Sequence, residues 1–239
     1  MLALPPEACQ GSEMHPIALP HEVVERVRAR RGRLNPFERL SAKRAALVVI
    51  DMQNAFCAPG AAIEVPVARS IVPNINRLAA AARSSGGLVV WVQMTIKDES
   101  DWPVFLSSLV DTGNSARILA ELRPGSEGHR LWPECETKPA DLVVPKNRFS
   151  AFLPSACELG GILKSKGIES VLIAGTLTNV CSESSARDAA MRDFQTTMVS
   201  DANAARSDAE HLATLVTFIQ SFGDVRTTDE LIALLRNAS

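Results

Sequence analysis

Unbroken apolar runs recur along this chain, and each ends at a polar turn. They are Ala46-Leu47-Val48-Val49-Ile50, Leu88-Val89-Val90-Trp91-Val92-Gln93-Met94, Asp141-Leu142-Val143-Val144-Pro145, Val171-Leu172-Ile173-Ala174-Gly175, Gln195-Thr196-Thr197-Met198-Val199 and the short Asp224-Val225-Arg226. Continuous hydrophobicity predicts strands buried on both faces, as in parallel sheets. Between them lie segments with helical spacing. Ile71, Ile75, Leu78, Ala79 and Ala82 share one face of a helix that Gly86 and Gly87 end. Cys157 to Lys166, the segment opening at Ser182, Ser207 to about Phe222, and Glu230 to Arg236 read the same way, with Ser207 and Thr228 as caps. Strands alternating with helices predict an α/β fold: a mostly parallel sheet of about six strands, covered on both faces.

Two stretches lack this rhythm. Residues up to Leu40 are irregular and rich in proline, apart from His21 to Arg31, where Val23, Val24 and Val27 fall on one side and Gly32 ends the helix. Residues 1–42 therefore read as an N-terminal arm, either partly disordered or laid on a neighbouring subunit, before a single domain over 43–239. From Thr95 to Pro139 the pattern is weak, and a long lid or specificity loop is expected.

Composition narrows the function classes. The chain has 239 residues, 46% hydrophobic and 22% charged, with a formal net charge of −2. That describes a globular domain with a sizeable core and gives no sign of a nucleic-acid or membrane surface. The basic cluster Arg26 to Arg33 is short and preceded by Glu22 and Glu25, so it reads as a solvated helical face. No signal peptide or membrane-spanning run is visible. Five cysteines (Cys9, Cys57, Cys135, Cys157, Cys181) lack C-x-x-C spacing, and an odd, scattered set points to reduced thiols and a cytoplasmic setting. The four histidines, His15, His21, His129 and His211, show no metal-ligand spacing, so no metal or other cofactor is expected.

Candidate chemistry gathers at strand ends. Asp51, Lys146 and Cys181 each stand at or shortly past the C-terminal end of a predicted strand. In a parallel sheet those ends lie along one edge, where open α/β folds bind ligands. Each residue also has a plainer reading: Asp51 as a helix N-cap, Lys146 as a surface-loop lysine, Cys181 as a small buried hydrophobe. Cys181 sits where a strand hands over to a helix, so the helix dipole and unpaired N–H groups would favour its thiolate.

Three blocks resemble the isochorismatase-like cysteine hydrolases. They are Val48-Val49-Ile50-Asp51-Met52-Gln53-Asn54-Ala55-Phe56, then Pro145-Lys146-Asn147-Arg148-Phe149-Ser150-Ala151-Phe152, then Gly175-Thr176-Leu177-Thr178-Asn179-Val180-Cys181-Ser182-Glu183-Ser184. The resemblance runs from about Lys43 to about Leu235. It implies a three-layer αβα (Rossmann-like) fold and a catalytic triad, with Cys181 as nucleophile, Asp51 as general base and Lys146 balancing their charge. It also implies a cis peptide at Thr176-Leu177, which would aim the Leu177 N–H, with that of Cys181, at an oxyanion. Relatives of this kind commonly assemble as homodimers or homotetramers.

The same resemblance bears on substrate. Nicotinamidase-type relatives carry an Asp-x-His…His metal site, whereas the matching stretch here, Ile96 to Pro103, has no histidine. True isochorismatases lack the nucleophilic cysteine. The blocks most resemble ureidoacrylate and N-carbamoyl amidohydrolases, which implies C–N hydrolysis of a small linear amide, ureido or carbamoyl compound through a thioester. Gln53, Gln93 and Thr176 are candidate polar contacts, and Phe56, Phe149 and Phe152 candidate pocket walls. Arg148 either pairs with a substrate carboxylate or faces solvent. Cys57 approaches the site or is a bystander. A catalytically silent binding relative and a redox-sensing thiol protein are the alternatives from other classes.

Overall fold

The computed structural model describes residues 14–110 and 113–237. Six strands form one sheet: β1 (Ala45–Ile50), β2 (Leu88–Met94), β3 (Leu142–Lys146), β4 (Ser170–Thr176), β5 (Gln195–Ala204) and β6 (Asp224–Arg226). Their order is β3-β2-β1-β4-β5-β6 and every pairing is parallel. The helices are α1 (His21–Arg31), the short α2 (Asn54–Cys57), α3 (Val72–Ser84), α4 (Ser115–Leu122), α5 (Leu159–Ser165), α6 (Glu183–Ala190), α7 (Asp208–Ser221) and α8 (Thr228–Arg236). The chain starts in the middle of the sheet at β1, winds outward to β3, returns to β4 beside β1 and winds out the other way. The strand order therefore reverses between β1 and β4, the point at which doubly wound sheets open a crevice for ligands.

The continuous apolar runs divide their side chains between two cores. Leu47 and Val49 of β1 pack with Ile75, Leu78 and Leu231 on the face of α3 and α8. Ala46, Val48 and Ile50 pack on the other face with Leu163, Ala186 and Leu215, from α5, α6 and α7. Alternate residues of a strand point to opposite faces, so a strand covered on both sides must be apolar at every position. A third cluster, with Phe56, Ile96, Leu106 and Leu122, lies beyond the sheet.

Several elements differ from the sequence expectation. The arm's described part, from Met14 on, runs against its own domain: Val23 and Val27 of α1 are buried in the second core, and His15 is bonded to Ala205 and Asp208. Cys9, Pro5 and Pro6 lie outside the described residues. The weak stretch after Thr95 contains α4, whose Ile118, Leu119 and Leu122 are buried. Strand β5 continues through Ser200-Asp201-Ala202-Asn203, which reads as a turn. It does so because Asn203 donates its side-chain amide to the carbonyls of Ile173 and Val199 (both 2.8 Å), where the register with β4 shifts. The last helix is capped by Thr227, not Thr228: Thr227 and Glu230 form a reciprocal capping box. The predicted Cys157–Lys166 helix shortens to α5.

Gly175 sets the spacing at the switch point. It has φ +115°, and a Cβ there would lie 2.1 Å from the Ile50 carbonyl oxygen. Only glycine lets β4 approach β1 so closely just before the site.

Candidate active site

Three elements deliver three side chains to the C-terminal edge of the sheet. Asp51 follows β1 directly, in the left-handed region at φ 52°. Its N–H donates to the Val92 carbonyl at 3.0 Å. Lys146 is the last residue of β3, in register with Met94 of β2. β3 and β1 are separated by β2, so about 10 Å of sheet lies between their axes. A four-carbon stem is long enough to cross it. Lys146 reaches over Met94, with Nζ 3.5 Å from Met94 Sδ, and donates to Asp51 Oδ2 at 2.8 Å. Both charged side chains are fully buried.

Cys181 arrives from the third direction. β4 ends at Thr176, the Thr176–Leu177 peptide bond is cis, and Thr178–Ser182 form a wide π-type turn ahead of α6. The Ser182 N–H donates to the Leu177 carbonyl at 3.1 Å, the five-residue reach that widens this turn. Thr178 Oγ1 lies 2.9 Å from His211 Nδ1, which ties the turn to α7. Ser185 Oγ accepts from the Ala151 N–H at 3.0 Å, which ties α6 to the loop after Lys146. The Cys181 side chain, 3% exposed, interacts with both Asp51 and Lys146.

The electrostatics describe a resting acid–base cluster. Burial opposes the Lys146 ammonium, but Asp51 and Cys181 more than offset it, so its pKa lies above the ordinary lysine value. Burial pushes Asp51 up, against the pull of Lys146. Burial also pushes the Cys181 thiol well up; Lys146 opposes the rise and Asp51 adds to it. This corrects the expectation that a helix dipole holds Cys181 as thiolate. The residue lies in the π turn rather than in α6, and desolvation outweighs its cationic neighbour. Burial therefore favours the thiol form of Cys181, beside the hydrogen-bonded Lys146–Asp51 pair. Asp51 Oδ1 is buried and has no hydrogen-bond partner among the described residues.

A cavity of about 290 Å³ opens onto Cys181. Phe56, Phe149 and Leu177 line it, together with residues that sequence reasoning missed: Phe105, Leu109 and Asn179. Phe149 sits edge-on to Trp102 and Phe105, with ring centroids at 4.7 and 5.8 Å. The helical spacing of Ile118, Leu119 and Leu122 was the available signal that this stretch folds back as a wall. Its flanking breaks, Gly113 and Pro124, obscured it.

Other expected contacts are spent inside the protein. Gln53 is wholly buried: its amide donates to the Met94 and His129 carbonyls (3.1 and 2.9 Å) and accepts from the Met94 N–H at 2.7 Å. Gln93 Nε2 donates to the same His129 carbonyl at 2.8 Å. The two glutamines clamp the His129 loop over the sheet and do not present amides to the cavity. Thr176 Oγ1 donates to the Ala204 carbonyl at 3.2 Å. Phe152 is buried in the second core against Phe194, away from the cavity. Arg148 lies over the Trp102 ring at 4.9 Å and donates to its neighbour's carbonyl, Asn147 O, at 2.7 Å. Cys57 is buried in the first core. Among the described residues no group of three or more His, Cys, Asp or Glu side chains could hold a metal ion, and no helix is long and apolar enough to cross a membrane.

The isochorismatase domain model matches residues 45–230. Among solved structures, a cysteine hydrolase from Pseudomonas syringae pv. phaseolicola 1448A is similar at 27% identity and TM-score 0.77, over 84% of this chain and 96% of that one. An isochorismatase family protein from Desulfovibrio vulgaris is similar at 28% identity and TM-score 0.70, over 81% and 98%. The N-carbamoylsarcosine amidase of Thermoplasma acidophilum is similar at 26% identity and TM-score 0.64, over 78% and 97%.

Proposed function

Since the chain belongs to the isochorismatase family, we propose that it is a cysteine-dependent amidohydrolase that cleaves a C–N bond of a small linear amide, ureido or N-carbamoyl compound. One observation carries the reading: a thiol set against a fully buried carboxylate that has one oxygen on Lys146 and whose other oxygen meets no well-formed hydrogen-bond donor among the described residues. A buried, unpartnered acceptor costs stability unless it has a use. Asp51 Oδ1 has one, as the acceptor of the Cys181 proton.

The steps follow from these positions. Cys181 Sγ attacks the substrate carbonyl carbon while its proton passes to Asp51 Oδ1. The oxyanion that forms is held by the N–H groups of Leu177 and Cys181. Collapse expels the leaving nitrogen, which takes the proton from Asp51, and a thioester remains. Water then attacks the thioester and gives a proton to Asp51. The C–S bond breaks, the acid leaves, and Sγ recovers its proton. Lys146 keeps Asp51 anionic between steps and orients it through Oδ2. The amidase from Thermoplasma acidophilum supports the amide class by analogy. Assembly as a homodimer or homotetramer is part of the same proposal; a monomer at every concentration in sedimentation velocity would remove it.

An ammonia-release screen tests the function. The panel holds ureidoacrylate, N-carbamoyl amino acids, biuret, nicotinamide and simple carboxamides. Turnover of an amide or ureido compound, with an acyl adduct on Cys181 in rapidly quenched samples, supports the reading. Silence across the panel, with no adduct on Cys181, rejects it.

A further inference from the structure

The composition of the cavity wall says more about the substrate than the catalytic residues do. Among its lining side chains, apolar ones outnumber charged ones ten to two. They come from separate parts of the chain: Phe56 from α2, Phe105 and Leu109 from the turn 105–109, and Phe149 from the loop after β3. Two of these segments belong to blocks that resemble the family. The turn that carries Phe105 and Leu109 lies in the stretch outside them.

The charged pair does not change the picture. Arg206 and Glu210 both line the wall and carry opposite signs, so together they add no net charge to draw in an ion. Glu210 Oε2 is already an acceptor for Ser207 Oγ at 2.9 Å. Besides Cys181, the wall's remaining polar side chain is Asn179, whose Oδ1 is buried and has no hydrogen-bond partner among the described residues. It stands two residues before Cys181.

We infer that the site takes an uncharged primary carboxamide with an apolar tail, in preference to a carboxylate-bearing carbamoyl or ureido compound. The inference rests on the amidohydrolase reading and narrows it. Size follows from volume. At about 30 Å³ per heavy atom, taken from the share of a water molecule, 290 Å³ holds about ten. The carboxamide uses three of them, which leaves room for a tail of about seven carbons. Its carbonyl lies at Cys181, its amide beside the Asn179 side chain, and its tail runs along Phe105, Leu109 and Phe149.

Two series of probes test this. The first is ammonia release from propanamide through octanamide, with glycinamide and N-carbamoylglycine as charged counterparts. The second is alkylation of Cys181 by N-alkyl iodoacetamides of rising length, with iodoacetate as the charged counterpart, followed by peptide mass spectrometry. Each added methylene raises kcat/KM and the alkylation rate about fourfold, the equivalent of ~0.8 kcal/mol, until the tail reaches about seven carbons. Leu109→Asp flattens that slope at a residue exposed enough (65%) to leave the fold intact, and Phe105→Ser does the same. A flat series in both arms, or a preference for the charged probes, overturns the inference. Absence of turnover of every carboxamide with the length dependence of alkylation retained supports the apolar site and overturns the carboxamide assignment; if the wider ammonia-release panel is silent as well, it is the hydrolase reading that fails.

Discussion

Lys146 crosses an intervening strand to put its Nζ 2.8 Å from Asp51 Oδ2 in a fully buried pair. An ion pair of this kind is expensive to bury, and breaking it by removing one partner costs more than the pair contributes. In Lys146→Met, Asp51 remains without its cation and takes up a proton, so the base is lost along with the charge balance. The expected result is a fall in kcat/KM on the order of 10³-fold, within the range for loss of general acid–base catalysis. Lys146→Arg does not rescue it, because a planar guanidinium does not fit where Nζ lies between Asp51 and Met94 Sδ. Steady-state kinetics on the best substrate, with circular dichroism as the folding control, checks both variants.

The protonated resting thiol gives a second expectation. Burial holds the Cys181 pKa well above that of a free cysteine. A low-pKa thiolate would show an alkylation rate that levels off near neutral pH. Cys181 instead reacts slowly with iodoacetamide at neutral pH, and its rate keeps rising to pH 10, because the thiolate fraction grows tenfold per unit below the pKa. Rates measured from pH 6 to 10 on the Cys181 peptide decide it. A plateau below pH 8 would show that Lys146 outweighs desolvation.

Behind the Thr178–Ser182 turn, His211 predicts a pH-dependent stability. Burial and the neighbouring His15, stacked at 4.6 Å, lower its pKa from 6.5 to about 4. Between those values the unfolded chain holds a proton that the folded chain does not, so stability rises with pH through the window and is lost as pH falls. The contribution is on the order of 3 kcal/mol across the window. Buried acids with raised pKa values, Asp51 and Asp224, act in the opposite sense. The informative quantity is therefore the difference between wild type and His211→Gln. Urea unfolding at pH 4.5 and 6.5 should show a smaller loss of stability for the variant than for wild type. Equal losses would mean that His211 is charged in the folded state.

What the sequence made legible follows from physical range. β1 and β4 stand out because a strand covered on both faces must be apolar throughout, and a glycine with no room for a Cβ marks where they close. Lys146 stands out because a lysine at the end of such a strand needs a partner. The fates of Gln53 and Gln93 were not legible. Their acceptor is a main-chain carbonyl, that of His129, and main-chain groups leave no trace in residue identity. Cys181 was legible by position but not by charge state, since the balance of desolvation against Lys146 depends on burial that only the packed site fixes. Phe152 shared a block with Phe149, yet the chain turns between them and sends one ring to the core and the other to the cavity.

The central claim is that Cys181 is the nucleophile in amide hydrolysis. The most direct test is the rate of ammonia release by Cys181→Ala relative to wild type on the best substrate. The account predicts a loss on the order of 10⁴-fold or more, because the thiol is the group that forms the acyl bond. Full turnover by Cys181→Ala would contradict it and leave the buried Lys146–Asp51 pair without a thiol to serve.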